Sequence, residues 1–237
     1  MTAPGSDVAE RVAQIRERID TAVRARGPGP AVTLVAVSKR HPPAAIAAAH
    51  AAGLRDFGEN YAQELRDKRS ALTFEPDDDA RWHFIGALQS NKVRLVLGCA
   101  LVHTVDRPSL LEVLERRAAP LDLVQDVLVQ VNLGAEASKA GVAPEATAAL
   151  LDRFADLSHV RCRGLMAIPP AGTPEATRPH FAALRRLAQR LSRTTRSGVE
   201  LAELSMGMSR DYEVAIAEGA TVVRVGTAVF GARPPAV

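Results

Sequence analysis

Apolar and polar positions along the chain follow two alternating rhythms. Residues 6–26 place Val8, Val12, Ile15, Ile19 and Val23 on one face, the spacing of an amphipathic helix. Gly27-Pro28-Gly29-Pro30 ends it. Beyond that point, short apolar runs alternate with longer stretches of helical period. The runs predict strands over 31–38, 55–59, 82–86, 101–105, 126–133, 161–168, 203–207 and 221–229. The stretches predict helices over 43–52, 61–72, 89–97, 108–118, 144–157, 174–195 and 210–218. Residues 76–79 and 170–174 read as loops, and 232–237 as a frayed tail. Strands that alternate with helices pair in parallel through crossover connections. Eight such strands can close into a barrel or spread as an open sheet. No composition break divides the 237 residues, and no glycine-rich dinucleotide fingerprint follows the first strand. Both observations favour the α/β class and a (β/α)8 TIM barrel. A single domain over 1–237 with one extra N-terminal helix is therefore expected.

The first strand ends in a way the others do not. Ala31-Val-Thr-Leu-Val-Ala-Val37 carries no charge, then Ser38-Lys39-Arg40 follows, and Pro42-Pro43 stops the strand and can open a helix. The run delivers an amine to the C-terminal edge of a buried strand, where parallel α/β proteins keep their chemistry. The chain has four lysines, Lys39, Lys68, Lys92 and Lys139, and only Lys39 ends a core strand. A strand-end lysine that merely reaches for solvent has the same pattern.

Charge narrows the choice of partners. Net charge is +3, and the other 26 of the 30 basic residues are arginines interleaved with Asp and Glu along helical segments. That pattern describes solvated helix faces rather than a nucleic-acid stripe. Cys99 and Cys162 lie in or beside apolar segments without metal-ligand spacing, as in a reducing compartment. No apolar segment opens the chain, and none approaches the ~18 residues of a membrane span. The expectation is a soluble cytoplasmic protein that binds neither nucleic acid nor membrane.

A barrel brings every strand C-terminus to one face. Strand two ends Phe57-Gly58-Glu59-Asn60, and strand seven ends Leu204-Ser205-Met206-Gly207-Met208-Ser209. Strand eight carries Arg224-Val225-Gly226-Thr227. Ser209 is expected to begin and N-cap a helix over 210–219, whose N-terminus would suit a phosphate. Gly226-Thr227 offers open backbone and a hydroxyl beside it. A plain cap and a tight strand end explain the same residues separately. Arg224 sits inside Val222-Val223-Arg224-Val225, and a buried guanidinium needs a partner. Glu59, Glu203 or a ligand ring nitrogen could serve. An amine, a phosphate cradle and an arginine on one face together suit an aldehyde bearing a phosphate and a heteroaromatic nitrogen. Pyridoxal 5′-phosphate (PLP) has that structure.

Five segments carry a family resemblance: Ala36-Val37-Ser38-Lys39, Phe57-Gly58-Glu59-Asn60-Tyr61-Ala62-Gln63-Glu64, Trp82-His83-Phe84-Ile85-Gly86 with Gln89-Ser90-Asn91-Lys92, Leu204-Ser205-Met206-Gly207-Met208-Ser209, and Arg224-Val225-Gly226-Thr227. The chain resembles the PLP homeostasis protein family, the YggS-like proteins, from about residue 8 to residue 231. The resemblance implies a fold-type III PLP-binding barrel, similar to the N-terminal domain of alanine racemases. It implies a Schiff base at Lys39, with Arg224 facing the pyridine nitrogen. It assigns Ser209, Gly226 and Thr227 to the phosphate and Asn60 to the pocket beside the ring. A monomer or weak dimer whose partners are PLP and apo PLP-dependent enzymes is expected. Ala87 stands where many relatives carry a longer polar side chain.

Burial and a nearby Arg40 would favour the neutral amine at Lys39 that imine formation requires. Arg224 stays cationic and cannot accept a proton from a ring nitrogen, which leaves a weak electron sink. Racemases of the related fold take a second acid/base tyrosine from another domain, for which this chain leaves no room. Its own tyrosines are Tyr61 and Tyr212, both expected at helix starts. Tyr212 could reach the phosphate or simply sit exposed. His83 could titrate near neutrality or sit hydrogen-bonded in the core. The expected function is PLP holding, buffering or delivery without strong catalysis. A PLP-dependent amino-acid racemase or related PLP enzyme is the alternative, and without the resemblance a barrel enzyme forming a lysine imine with a phosphorylated metabolite remains.

Overall fold

The computed structural model describes residues 6–74, 80–134 and 140–232. The predicted loop at 76–79, Lys139 and the tail beyond 232 lie outside the described residues. The described residues form eight strands: β1 Thr33–Val37, β2 Asp56–Glu59, β3 Arg81–Phe84, β4 Leu101–Val105, β5 Gln125–Gln130, β6 Val160–Met166, β7 Val199–Met208 and β8 Val222–Val225. All neighbours pair in parallel, and β8 returns to β1 with Arg224 opposite Val35, closing the barrel. Helices follow or precede the strands: α1 Ser6–Arg26, α2 Pro43–Ala51, α3 Ala62–Ala71, α4 Pro108–Ala118, α5 Thr147–Asp152, α6 Pro174–Leu191, α7 Tyr212–Ala217 and α8 Thr227–Phe230. No helix of the described residues is long and apolar enough to cross a membrane.

Local chemistry sets most of these boundaries. Proline occupies the first turn of α2, α4 and α6, where its missing N–H costs nothing. Thr173 caps α6 by accepting from the Ala176 N–H at 3.3 Å. Between strand ends, side chains alternate. Ala36, Phe57, Phe84, Val102, Val129, Leu165, Leu204 and Val223 point outward and pack with Leu65, Leu110, Leu151, Phe181 and Ile216 of the helices. Leu101, Leu128 and Met166 form a separate apolar group from the alternate positions of β4, β5 and β6.

Several elements differ from the pattern-based expectation. The segment 89–97 contains a 3-10 helix at Ser90–Leu95 rather than an α-helix. The region 144–157 divides into a 3-10 turn, the short α5 and a second 3-10 turn. Strand β7 starts four residues earlier than its apolar core, because its first half, with half-buried and exposed positions in alternation, still pairs with β6. The predicted strand 221–229 ends at Val225, and Thr227–Phe230 turns into α8. A four-residue helix covers little surface. The N-terminal α1 packs beside α8, α2 and α7 and buries Val8, Val12, Ile15 and Ile19 there. The extra helix therefore completes the outer layer where the last crossover is short.

Candidate functional site

A cavity of about 570 Å³ opens at the C-terminal ends of the strands, within the usual size of a small-molecule site. Lys39, Asn60, Ser209, Arg224, Gly226 and Thr227 all line it. The six residues come from the ends of β1, β2, β7 and β8, and only the closed topology brings them together. Ile168, Pro169, Pro170 and Gly172, after β6, build the facing wall.

Lys39 stands on a tightly fixed turn. The His41 N–H donates to the Ser38 carbonyl at 3.0 Å, and Arg40 adopts φ 62°. This left-handed conformation strains any non-glycine residue, and the surroundings hold it in place. The Arg40 N–H donates to Glu64 Oε1 at 2.6 Å. Lys68 Nζ donates to the Ser38 carbonyl, Glu59 Oε1 and Glu64 Oε1, each at 2.7 Å. Ser38 Oγ donates to the same Glu59 oxygen at 2.6 Å. Burial raises the Glu59 pKa above the usual carboxylate range, and the Lys68 ammonium offsets only part of that rise. Arg40 lines a separate groove with Tyr61 and Lys68.

Two glycines set the shape of the floor and rim. A Cβ on Gly86 would fall 1.9 Å from the Asn60 carbonyl oxygen, so only glycine lets the end of β3 approach Asn60. Gly207 has φ 91°, and a Cβ there would meet Ala215 at 2.6 Å.

Strands β7 and β8 supply the rest. Ser209 does not N-cap a helix as expected. The helix begins at Tyr212, and Ser209 Oγ instead accepts the Gly226 N–H at 3.2 Å, tying the two loops together. The Asp211 carboxylate closes the same turn by accepting the Met208 N–H at 2.7 Å. Gly226 and Thr227 lie at the start of α8 rather than inside a strand.

Arg224 is buried, yet neither Glu59 nor Glu203 is its partner. Glu59 belongs to Lys68, and Glu203 accepts from Thr221. Arg224 Nη1 donates to Ser205 Oγ at 2.5 Å, and Nη2 donates to the Ala167 carbonyl at 3.0 Å. Burial lowers its pKa to about 10, with Asp211 opposing the shift, so the guanidinium remains cationic at neutral pH. Both tyrosines stand outside the cavity. Tyr61 lines the groove beside Arg40, while Tyr212 is buried with its ring 5.3 Å from the Arg18 guanidinium of α1. Tyr212 is thus neither exposed nor at the candidate phosphate site. His83 is a hydrogen-bonded core residue. Pattern reading missed Lys68, Glu64 and Asp211. The Glu64–Lys68 spacing of one helical turn was the available signal, but it also describes an ordinary surface pair.

The sequence profile of the alanine racemase N-terminal domain matches residues 11–234. A pyridoxal phosphate homeostasis protein of Pseudomonas aeruginosa is 49% identical over 232 residues, covering 96% of each chain. Its counterpart in Aquifex aeolicus is 44% identical over 227 residues, covering 94% of this chain and 97% of that one. The chain belongs to the pyridoxal phosphate homeostasis protein family. Among solved structures of similar fold is PipY of Synechococcus elongatus with PLP bound. It has a TM-score of 0.82 and 42% identity, covering 94% of this chain and all of that one. Alanine racemase from Corynebacterium glutamicum shares the fold, with a TM-score of 0.69 and 16% identity; the alignment covers 98% of this chain and 62% of the racemase. Family membership accords with the (β/α)8 architecture expected from the alternating pattern.

Proposed function

We propose that this protein binds PLP covalently at Lys39 and serves to hold, buffer and deliver the cofactor, without substantial catalysis of its own. The observation that carries the reading is the cavity itself. It has an amine on one wall, a cationic guanidinium on another and hydroxyl and N–H donors at the β7–β8 rim. The PLP-bound PipY relative and the names of the curated homologues support it. When bound, PLP would supply an aldehyde that condenses with the Lys39 amine and releases water.

The remaining assignments follow from what each side chain offers. The turn clamped by Lys68, Glu59 and Glu64 holds Lys39 at the cavity wall. Ser209, Gly226 and Thr227 would take the phosphate, at the loops where barrels commonly bind one. Asn60 would flank the ring. Arg224 would donate to the ring nitrogen and, as a cation, could not protonate it effectively. An unprotonated ring withdraws electrons weakly, which handicaps carbanion chemistry. No tyrosine of the described residues lines the cavity to act as an opposite-face acid/base. Both features favour exchange of the cofactor over turnover of amino acids. The carrier role places the protein with the intracellular apo-enzymes it would serve.

The test uses PLP-loaded protein incubated separately with free amino acids and with PLP-dependent apo-enzymes. Negligible racemisation, transamination or decarboxylation is expected, together with reactivation of an apo-enzyme. Rapid turnover that disappears in Lys39→Ala would overturn the carrier role in favour of a racemase or related enzyme. Failure to reactivate any acceptor would remove delivery.

A further inference from the structure

Five polar side chains run through the barrel from its N-terminal end to the cavity. The Arg81 fork grips Asp56 at the start of β2, with Nε donating to Oδ1 at 2.8 Å. Asp56 Oδ1 lies 2.9 Å from His83 Nε2. His83 Nδ1 lies 3.0 Å from His103 Nε2, and His103 Nδ1 lies 2.8 Å from Ser205 Oγ. Ser205 Oγ then accepts from Arg224 Nη1. His103 is on β4 and Ser205 on β7, three strands apart in the closed order, so this contact crosses the interior. All five residues from Asp56 to Arg224 are buried.

The two ends give the chain a direction. An arginine only donates, and an ionised carboxylate only accepts. With both histidines neutral, one arrangement of hydrogens fills every link. Arg224 donates to Ser205, and the single Ser205 hydrogen goes to His103 Nδ1. His103 carries its hydrogen on Nε2 and donates to His83 Nδ1, and His83 donates from Nε2 to Asp56. A His83 tautomer with its hydrogen on Nδ1 would set a nitrogen lone pair against the carboxylate. The groups facing the histidine pair are Asp56 and Arg81 at one end and Arg224 at the other. Burial, then the proximity of His83 and Arg224, holds the His103 pKa well below the ordinary histidine value.

We infer that His103 and Ser205 are positioning residues for Arg224. Because its hydrogen is committed to His103, the Ser205 hydroxyl turns a lone pair to the guanidinium. The guanidinium is thereby fixed at the cavity wall, with further N–H groups available to a ligand ring nitrogen. Linked hydrogen bonds polarise one another, so the Asp56 carboxylate strengthens the acceptor that Arg224 meets. The inference rests on the PLP reading for its ligand but not for the hydrogen arrangement.

Two measurements test it. In PLP-free protein carrying nitrogen-15 histidine, NMR at neutral pH should find His83 and His103 neutral, with the hydrogen on Nε2. A His103 hydrogen on Nδ1, or a cationic His103, would overturn the arrangement. Affinities of His103→Leu and Ser205→Ala for PLP are then compared with those for an analogue whose ring nitrogen is replaced by carbon. PLP should weaken roughly tenfold, the size of one hydrogen bond to a charged group, and the carbon analogue should be unaffected. Equal weakening of both ligands, or of neither, would overturn the positioning role. If the native protein bound no PLP, the proposed function would fail while the histidine tautomers still decided the chain.

Discussion

The two sides of the barrel wall are built from different chemistry. Outside, between strands and helices, Phe57, Phe84, Leu110, Leu151, Phe154, Phe181 and Ile216 form a continuous apolar layer. Inside, Leu101, Leu128 and Met166 form a small apolar cluster, and the space between β2, β3, β4, β7 and β8 holds Asp56, His83, His103, Ser205 and Arg224. Apolar burial contributes about 25 cal/mol per Å² and tolerates shape changes poorly but chemistry well. A buried polar chain adds little net stability and demands that each link be present. The outer layer therefore holds the barrel closed, and the inner chain serves the cavity at its top.

Truncation in the outer layer should have the largest effect. Phe154→Ala removes a fully buried ring and should cost about 3–5 kcal/mol, measured by urea unfolding. A loss under about 1 kcal/mol would mean that the layer is not the main source of stability. Breaking the inner chain at its base should cost less and depend on pH. Burial alone would raise the Asp56 pKa, but hydrogen bonds from His83 and Arg81 outweigh it and lower the folded-state value. A carboxylate depressed in the folded state stabilises above its unfolded pKa, and this contribution is lost as pH falls through the folded value. Asp56→Asn should thus cost roughly 2 kcal/mol at neutral pH, with the difference from the native protein shrinking below about pH 4. A pH-independent difference would contradict an ionised Asp56. The smallest stability effect belongs to the cavity rim. Combined Ser209→Ala and Thr227→Val should cost about 1 kcal/mol, the size of the lost Ser209–Gly226 hydrogen bond, yet weaken PLP more than pyridoxal without phosphate. Equal weakening of the two ligands would remove the phosphate assignment.

The outer layer was legible in the sequence because its rule is periodic. Apolar alternation in the strands and the spacing of Val8, Val12, Ile15 and Ile19 gave both the elements and their buried faces. The cavity residues were legible because strand ends in a parallel barrel share one face, and Lys39, Asn60, Ser209, Arg224, Gly226 and Thr227 do meet there. The inner chain was not. His103 and Ser205 lie 102 positions apart, and nothing local distinguishes a histidine that reaches across a barrel from one facing a helix. For the same reason the sequence offers Glu59, Glu203 or a ligand ring nitrogen as partners of Arg224 but not the hydroxyl and carbonyl that hold it within the barrel. Ser209 does not cap the helix because the turn runs on through Arg210 and Asp211, which closes it.

The proposed function stands or falls with the Lys39 amine as the point of attachment for the cofactor. The most direct measurement mixes the native protein with one equivalent of PLP, reduces the complex with borohydride and maps the modified peptide by mass spectrometry. A single phosphopyridoxyl group on Lys39 is expected, and no stable adduct in Lys39→Ala. Modification at Lys68, Lys92 or Lys139 in place of Lys39, or a full equivalent retained by Lys39→Ala, would contradict it.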